Sequence, residues 1–542
     1  MKPAVAAFNM QSGPHLETPM NPPIRELLVV GGGTAGWLTA AYLARTLGPA
    51  VRITLVESPQ IGTIGVGEGS FPSLRGTLSA LGIDEARFVR ECQATFKQGI
   101  RFDHWVRPPG MPGASHYFHP FSSPSQRPGA PELLPYWLLG AAGADTPLAD
   151  AVTMQKALAD AHRGPKRTND ADYIGPLNYA YHFDAGRLAA LLAQRARELG
   201  VVHVQATVER VSLAADGAVA AVHTREAGPL SADLYVDCTG FHAALIGQSL
   251  GSPFRDLNSV LFVDRALALQ VPYARPDAPI ASYTISTAQA AGWIWDIGLQ
   301  QRRGLGYVYS SAHTSDEQAE QVLREHAGAA GQGLTPRQLK LRVGYRETQW
   351  VKNCVAVGLA GGFVEPLEAS GIGLVETAAY LIAHLFPADG QMEPVARYFN
   401  DFMRQRYERV VDFVKMHYCL TQRTDTSFWR DNTRPQSQTD SLRERLAMWQ
   451  CRPPHRLDFI TDLEMYPPSS WQYVLYGMEH RHTDRQGTGS LPGTHARMDE
   501  ARREFQALRQ VVPHAMADLP PHRALVEALC ARGAPARAAV AA

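Results

Sequence analysis

An amine can serve as a nucleophile or a proton switch near neutral pH when its surroundings strip its charge, whereas guanidinium cannot. This chain has only seven lysines (Lys2, Lys97, Lys156, Lys166, Lys340, Lys352 and Lys415) among 52 basic residues, so generic positive charge is left to arginine. Lys97 stands in Phe96-Lys97-Gln98-Gly99-Ile100-Arg101-Phe102, an alternation that predicts one strand with Lys97 and Gly99 on the same face. Glu365 and Glu368 lie just ahead of a helical pattern, and Glu68 is a further carboxylate candidate. A carboxylate beside a reacting ring can steady positive charge and accept a proton. Ser370 is expected to N-cap the helix spanning 371–386, so that Ser370 and Gly371 present free N–H groups to an anion. Trp293 and Trp295 alternate on a strand-like run, and His119 and Phe121 flank Pro120. Such aromatic pairs can hold a flat ring. Each feature has a plainer reading as well: a solvated strand lysine, polar residues before a helix, a simple cap, core tryptophans, a proline turn.

Upstream lies the element that must position these groups. The apolar run Leu27-Leu28-Val29-Val30 leads into Gly31-Gly32-Gly33-Thr34-Ala35-Gly36, and a helical pattern follows directly. Gly31 permits a tight turn, Gly33 lets the backbone approach a pyrophosphate, and Gly36 lets helix and strand pack closely. The N–H groups of Thr34 and Ala35 then face the phosphates at the positive end of the helix. A second apolar run, 51–56, ends in Glu57, where an acid can hold a ribose hydroxyl. The loop 61–69, with Gly67 and Glu68 among alternating small residues, suits close approach to the same ligand. A dinucleotide site is expected here.

The remaining chain sets limits. Its 542 residues carry 52 acidic and 52 basic groups, so no net field recruits nucleic acid or an anionic membrane. No uncharged apolar run reaches membrane-spanning length, and the six cysteines are scattered without metal-ligand spacing. These features predict a cytoplasmic enzyme without a metal. Residues 1–24 read as a loose leader, 25–390 as the nucleotide-binding and catalytic module with a Gly/Pro-rich excursion at about 108–176, and 391–542 as a mainly helical region completing the pocket. The end past Arg532 is expected to fray.

Four stretches follow the glycine turn in a particular order. They are Gly65-Val66-Gly67-Glu68-Gly69, the Lys97 segment with Trp105, Gly292-Trp293-Ile294-Trp295-Asp296-Ile297-Gly298, and Phe363-Val364-Glu365-Pro366-Leu367-Glu368-Ala369-Ser370-Gly371-Ile372. In these the chain resembles the flavin-dependent halogenases of the tryptophan halogenase family, from about Leu27 to at least Met478. The resemblance implies an α/β fold: a Rossmann-type FAD-binding module with an inserted β-sheet substrate layer, like the flavin monooxygenases, plus a helical C-terminal region. It implies FAD in its reduced form, chloride or bromide as co-substrate, and a separate NAD(P)H-dependent flavin reductase. Lys97 would relay hypohalous acid to an electron-rich arene, with Glu368 orienting the reagent and steadying the ring cation. Ser370 and Gly371 would hold halide. Trp293 and Trp295 would separate flavin from substrate, and His119 and Phe121 would line the substrate pocket.

Two departures stand out. Gly298 replaces the usual proline that ends the Trp-x-Trp motif. The tyrosine- and glutamate-rich clamp that grips free tryptophan is not visible in 454–478, which points to indole or an indole derivative as substrate. A flavin-dependent aromatic hydroxylase is the alternative activity; a flavin-binding protein without catalysis is a third reading, against which the joint presence of Lys97 and Glu368 speaks.

Overall fold

The run 27–30 is apolar throughout because both faces of its strand are covered. The computed structural model describes residues 22–60, 62, 67–124, 127–480 and 495–532. Residues 1–21 of the expected leader, residues 61 and 63–66 of the loop 61–69 and the end past Arg532 lie outside these residues. Strand Glu26–Val30 sits inside a six-stranded sheet, ordered Trp350–Val351, Cys354–Ala356, Leu234–Asp237, Glu26–Val30, Arg52–Glu57, Val202–Gln205, parallel except at the Trp350 edge. Helix Thr34–Leu47 leaves the first strand directly and packs between helices Ala185–Glu198 and Ser370–His384. This is the doubly wound arrangement in which ligands bind at the carboxyl ends of the strands.

A second layer carries the aromatic segments. Its seven strands run in the order Arg337–Lys340, Arg265–Pro272, Arg302–Tyr309, Gly292–Gly298, Thr284–Gln289, Gly99–Asp103, His116–Pro120. The Gly/Pro-rich stretch thus contributes the edge strand His116–Pro120 of this sheet. A small third sheet joins Gly67–Gly69 and Thr95–Lys97 across Ala180–Asp184, with Lys97 opposite Ala180.

One expected strand is in fact two. The chain leaves the small sheet after Lys97 and enters the large one at Gly99. Gln98 makes the switch, its N–H donating to Ser282 O (2.6 Å) and its carbonyl accepting from Phe121 N (3.1 Å). Lys97 and Gly99 therefore do not share a strand face. A glycine is needed at 99 because a Cβ there would lie 2.4 Å from His119 O and 2.8 Å from the Phe118 ring.

Beyond Met392 the described strand-free chain is helical. Helix Met392–Cys419 is buried on every side over Val410–Tyr418, so its polar members Asp412, Lys415 and His417 must find partners inside the protein. Among the described residues no helix is long and apolar enough to cross a membrane.

The strand that pairs with Lys97 is pinned by a buried ion pair. Glu85 accepts from Lys166 Nζ (2.5 Å), Tyr179 OH (2.8 Å), Tyr181 OH (2.5 Å) and Tyr173 N (3.0 Å). Removing one partner of such a pair strands the other charge in the interior. Lys166→Met is expected to lower the unfolding free energy by about 3–5 kcal/mol, read as a fall in the denaturant midpoint. A loss under about 1 kcal/mol, the surface ion-pair range, would contradict that account.

Candidate active site

The glycine turn has the geometry its residues require. Gly31 adopts φ +112°, and a Cβ there would meet Cys238 O at 2.4 Å. A Cβ on Gly36 would overlap Gly31 O at 1.9 Å. Gly33 is the N-cap of helix Thr34–Leu47 and supplies no side-chain cap, so the N–H groups of Thr34 and Ala35 stay open to an anion. Glu57 ends its strand against Gly32, with His203 Nε2 2.8 Å from Glu57 Oε1. A glycine the sequence reading passed over, Gly358 (φ +68°), comes close to this turn: its Cβ would lie 2.8 Å from the Ala35 Cβ. Its signal was present, a small-residue turn after a buried strand.

Gly67 and Trp295 line one cavity of about 360 Å³, together with Gly304 and Leu305. Trp295 lies flat over Gly306, where a Cβ would sit 1.9 Å from the indole. Trp293, two residues earlier, has its ring centre 6.3 Å from that of Trp295 and packs on Trp105. Of the two, only Trp295 lines this cavity; Trp293 is buried. Gly298, at the proline-variant position, continues the strand, and its carbonyl accepts from Thr95 Oγ1 (2.5 Å). Glu68 is half-buried on strand Gly67–Gly69 opposite Phe183; burial, then the Asp184 carboxylate, raises it to about 7.

Lys97 is fully buried. Its Nζ reaches only the Ser70 carbonyl, at 3.4 Å, lies 5.3 Å from the centre of the Phe121 ring, and makes no ion pair among the described residues. Burial lowers its ammonium to about 8, against the opposing pull of Glu368. A glycine at 69 leaves it room, since a Cβ there would stand 3.2 Å from Nζ. The amine is thus desolvated, poorly solvated by protein and close to its switching range at neutral pH.

Glu368 is equally buried, yet held as a carboxylate. Burial pushes it up, but the contacts with His119 and His417 outweigh this and bring it down to about 2. His119 Nδ1 lies 3.1 Å from both carboxylate oxygens, and His417 Nε2 lies 3.1 Å from Oε1 at an angle too oblique for a well-formed hydrogen bond. An aromatic enclosure surrounds this centre: Phe71 meets Phe121 (5.8 Å) and Tyr466 (5.5 Å), and Tyr466 stacks on Phe413 (4.1 Å). Tyr466 OH also donates to the Glu368 carbonyl, at 3.3 Å. Phe71, Phe413, Tyr466, Tyr117, Ser470 and His417 were not singled out from sequence. The local hint was a histidine in the mostly apolar helical run 410–418, beside Asp412 and Lys415.

Glu365 is a buried carboxyl too, accepting from Tyr418 OH (2.7 Å) and pushed by burial to about 8. Lys415 is buried nearby, donates to Asn432 Oδ1 (2.8 Å), and is lowered by burial to about 7.

Ser370 does not cap its helix. The helix is Ser370–His384, and its N-cap is Ala369 in the left-handed region (φ 55°). The 3-10 turn Pro366–Glu368 forces this reversal, which places Ser370 in the first turn with its side chain buried. The first-turn N–H groups of Ser370 and Gly371 remain open, and no atom lies within 4 Å of where a Cβ of Gly371 would stand.

The C-terminal stretch has no spare clamp. Asp458 is spent on Arg452, Trp449 Nε1 (3.0 Å) and His455 N (2.9 Å), and Glu464 on Arg445 (3.0 Å). Asp462 is exposed.

Residues 26–489 match the family model described as tryptophan halogenase. The tryptophan 6-halogenase of Streptomyces toxytricini is 37% identical over 83% of this chain and 89% of its own length. The tryptophan 7-halogenase of Lentzea aerocolonigenes is 36% identical over 79% and 82%. Among solved structures, a tryptophan halogenase from Shewanella frigidimarina superposes with a TM-score of 0.89 at 40% identity, covering 95% of this chain and 99% of that one. A flavin-dependent halogenase from Brevundimonas gives 0.82 at 34%, covering 94% and 100%.

The lysine environments give a direct test. With Nζ or Cε labelling, NMR titration should show two lysines far below the usual range, near 8 and near 7. Lys97→Met should remove the first and leave the second. Loss of neither, or titration of both above about 10 as in model peptides, would refute the desolvated setting.

Proposed function

This chain belongs to the tryptophan halogenase family, and we propose how its own residues carry out flavin-dependent halogenation of an indole-type ring. The observation that carries the reading is the meeting, inside one aromatic enclosure, of a desolvated amine and an ionised carboxylate.

FAD fits the open turn at 31–36, where Gly33, Thr34 and Ala35 would hold the pyrophosphate and Glu57 the ribose, with Gly67 and Glu68 along its path. When bound and reduced by a separate NAD(P)H-dependent reductase, it supplies with oxygen the oxidising equivalent that turns chloride or bromide into hypohalous acid. Ser370 and Gly371 would offer N–H groups to the halide, at the head of a helix packed against the dinucleotide helix. The wall of Trp293 and Trp295 would keep the cofactor ring from the substrate, so that only a small oxidant crosses.

At the far side Lys97 would hold the electrophilic halogen, by hydrogen bond or as a haloamine. Its lowered affinity for the proton makes the amine available for either. The ring, gripped by Phe121, His119 and the neighbouring aromatics, forms a carbon–halogen bond and becomes cationic as the halogen's bond to oxygen, or to the protonated haloamine nitrogen, breaks. The first case releases water formed with a proton from the Lys97 ammonium, the second the free amine of Lys97. Glu368 steadies that charge and accepts the proton as the carbon–hydrogen bond breaks. The carboxylates of 454–478 are paired with arginine or exposed, which favours indole or a neutral derivative over a free amino acid.

Incubation with FAD, a flavin reductase, NADH, indole and chloride or bromide should yield haloindole by mass. Halogen-free hydroxyindole would overturn the reading in favour of a hydroxylase. Lys97→Ala should abolish haloindole while FAD binding is retained; Gly31→Ala, strained and overlapping Cys238 O, should weaken FAD binding instead. Free tryptophan turned over with a better kcat/KM than indole would refute the substrate assignment.

A further inference from the structure

The carboxylate of Glu368 is the centre of a buried string with a hydroxyl at each end: Ser470, His119, Glu368, His417, Tyr117. The first half touches residues already placed at the pocket. The second half comes from helix Met392–Cys419 and has no part in the reading above. We propose that His417, locked by Tyr117, is a positioning residue that fixes the orientation and ionisation of Glu368; this rests on the role given to Glu368 in the preceding section.

The geometry decides which nitrogen carries the proton. Tyr117 OH lies 2.6 Å from His417 Nδ1. The phenol is buried, and burial with the nearby Glu368 carboxylate pushes it well above its ordinary value. It therefore stays an O–H and donates, so Nδ1 accepts and the ring proton sits on Nε2, facing Glu368 Oε1 at 3.1 Å. Burial keeps the His417 imidazole below its ordinary value, so the neutral ring supplies this N–H. Ser470 does the same for His119 from the opposite side, its Oγ 2.8 Å from Nε2 and His119 Nδ1 facing the carboxylate.

Rotation of the ring is blocked. Phe102 stacks on His417 (4.7 Å, 29°) and on Tyr117 (4.7 Å, 7°), so imidazole and phenol lie along one aromatic face. Phe413 meets the His417 ring edge at 5.4 Å and Trp105 at 6.0 Å. The groups that face Glu368 are His119 and Tyr117 from strand His116–Pro120, His417 from the helix, Lys97 from strand Thr95–Lys97, and the Tyr466 hydroxyl on its carbonyl. Two imidazoles hold the carboxylate down; losing one lets its affinity for protons rise.

The test uses the full chain with FAD, reductase and indole, following kcat, KM and the pH profile. His417→Ala should lower kcat on the order of tenfold or more, with KM within about twofold and FAD binding unchanged. Its acid limb should move to higher pH, because Glu368 protonates more readily. His417→Gln, which can return an N–H near the Nε2 position, should recover part of kcat. Tyr117→Phe, which keeps the ring and removes only the locking hydroxyl, should shift the acid limb in the same direction and guards against a folding defect in the alanine variant. Wild-type kcat with an unmoved acid limb in Tyr117→Phe and the His417 variants, while Glu368→Gln is inactive, would overturn the positioning role alone. Wild-type kcat in Glu368→Gln would overturn the role of Glu368 itself, and this proposal with it.

Discussion

A charged carboxylate in a protein interior survives only if donors replace the water it has lost. Glu368 meets that condition chiefly through His119, which faces both carboxylate oxygens, with His417 Nε2 approaching Oε1 at 3.1 Å. One comes from the edge strand of the large sheet, the other from a helix buried on every side. The 3-10 turn and the left-handed Ala369 that follow set the carboxylate between them and aim the first turn of the next helix outward. The loop that carries Glu368 thus also opens helix Ser370–His384, which packs against the helix that follows the glycine turn.

Among the described residues three lysines are fully buried, and their settings divide cleanly. Lys166 has a carboxylate at 2.5 Å and serves the fold. Lys415 has an amide oxygen and the face of Phe262 at 4.9 Å. Lys97 has one distant carbonyl and an aromatic face, the least compensated of the three. Depth of burial alone does not describe a lysine's setting; the quality of its partners sets how costly the charge is to keep.

The local features of the fold were legible in the sequence because they rest on local rules. The glycine turn, the strand that delivers it, the helix after it and the terminal Glu57 follow from φ freedom, apolar runs and caps within some thirty residues. Lys97, Glu368 and the tryptophan pair were reached by motif and by the chemistry of their side chains. What escaped depends on tertiary placement. His417 and Tyr117 lie 300 residues apart in the chain yet share a hydrogen bond, and no local pattern announces that. The break at Gln98 also escaped, because both flanking segments alternate properly and only their partners reveal two sheets. Ser370 was read as a cap from its residue type; the left-handed backbone one position earlier, at an alanine, carries no such signature.

The switch at Gln98 has a mechanical corollary. Lys97 is anchored to the small sheet, whereas His119 and the aromatic face beside it ride on the large one. The reach of the amine is therefore a matter of how two sheets are offset, with one glutamine as the rivet between them through Ser282 and the Arg163 carbonyl. Sliding one sheet against the other would shift Lys97 relative to His119 without replacing either residue.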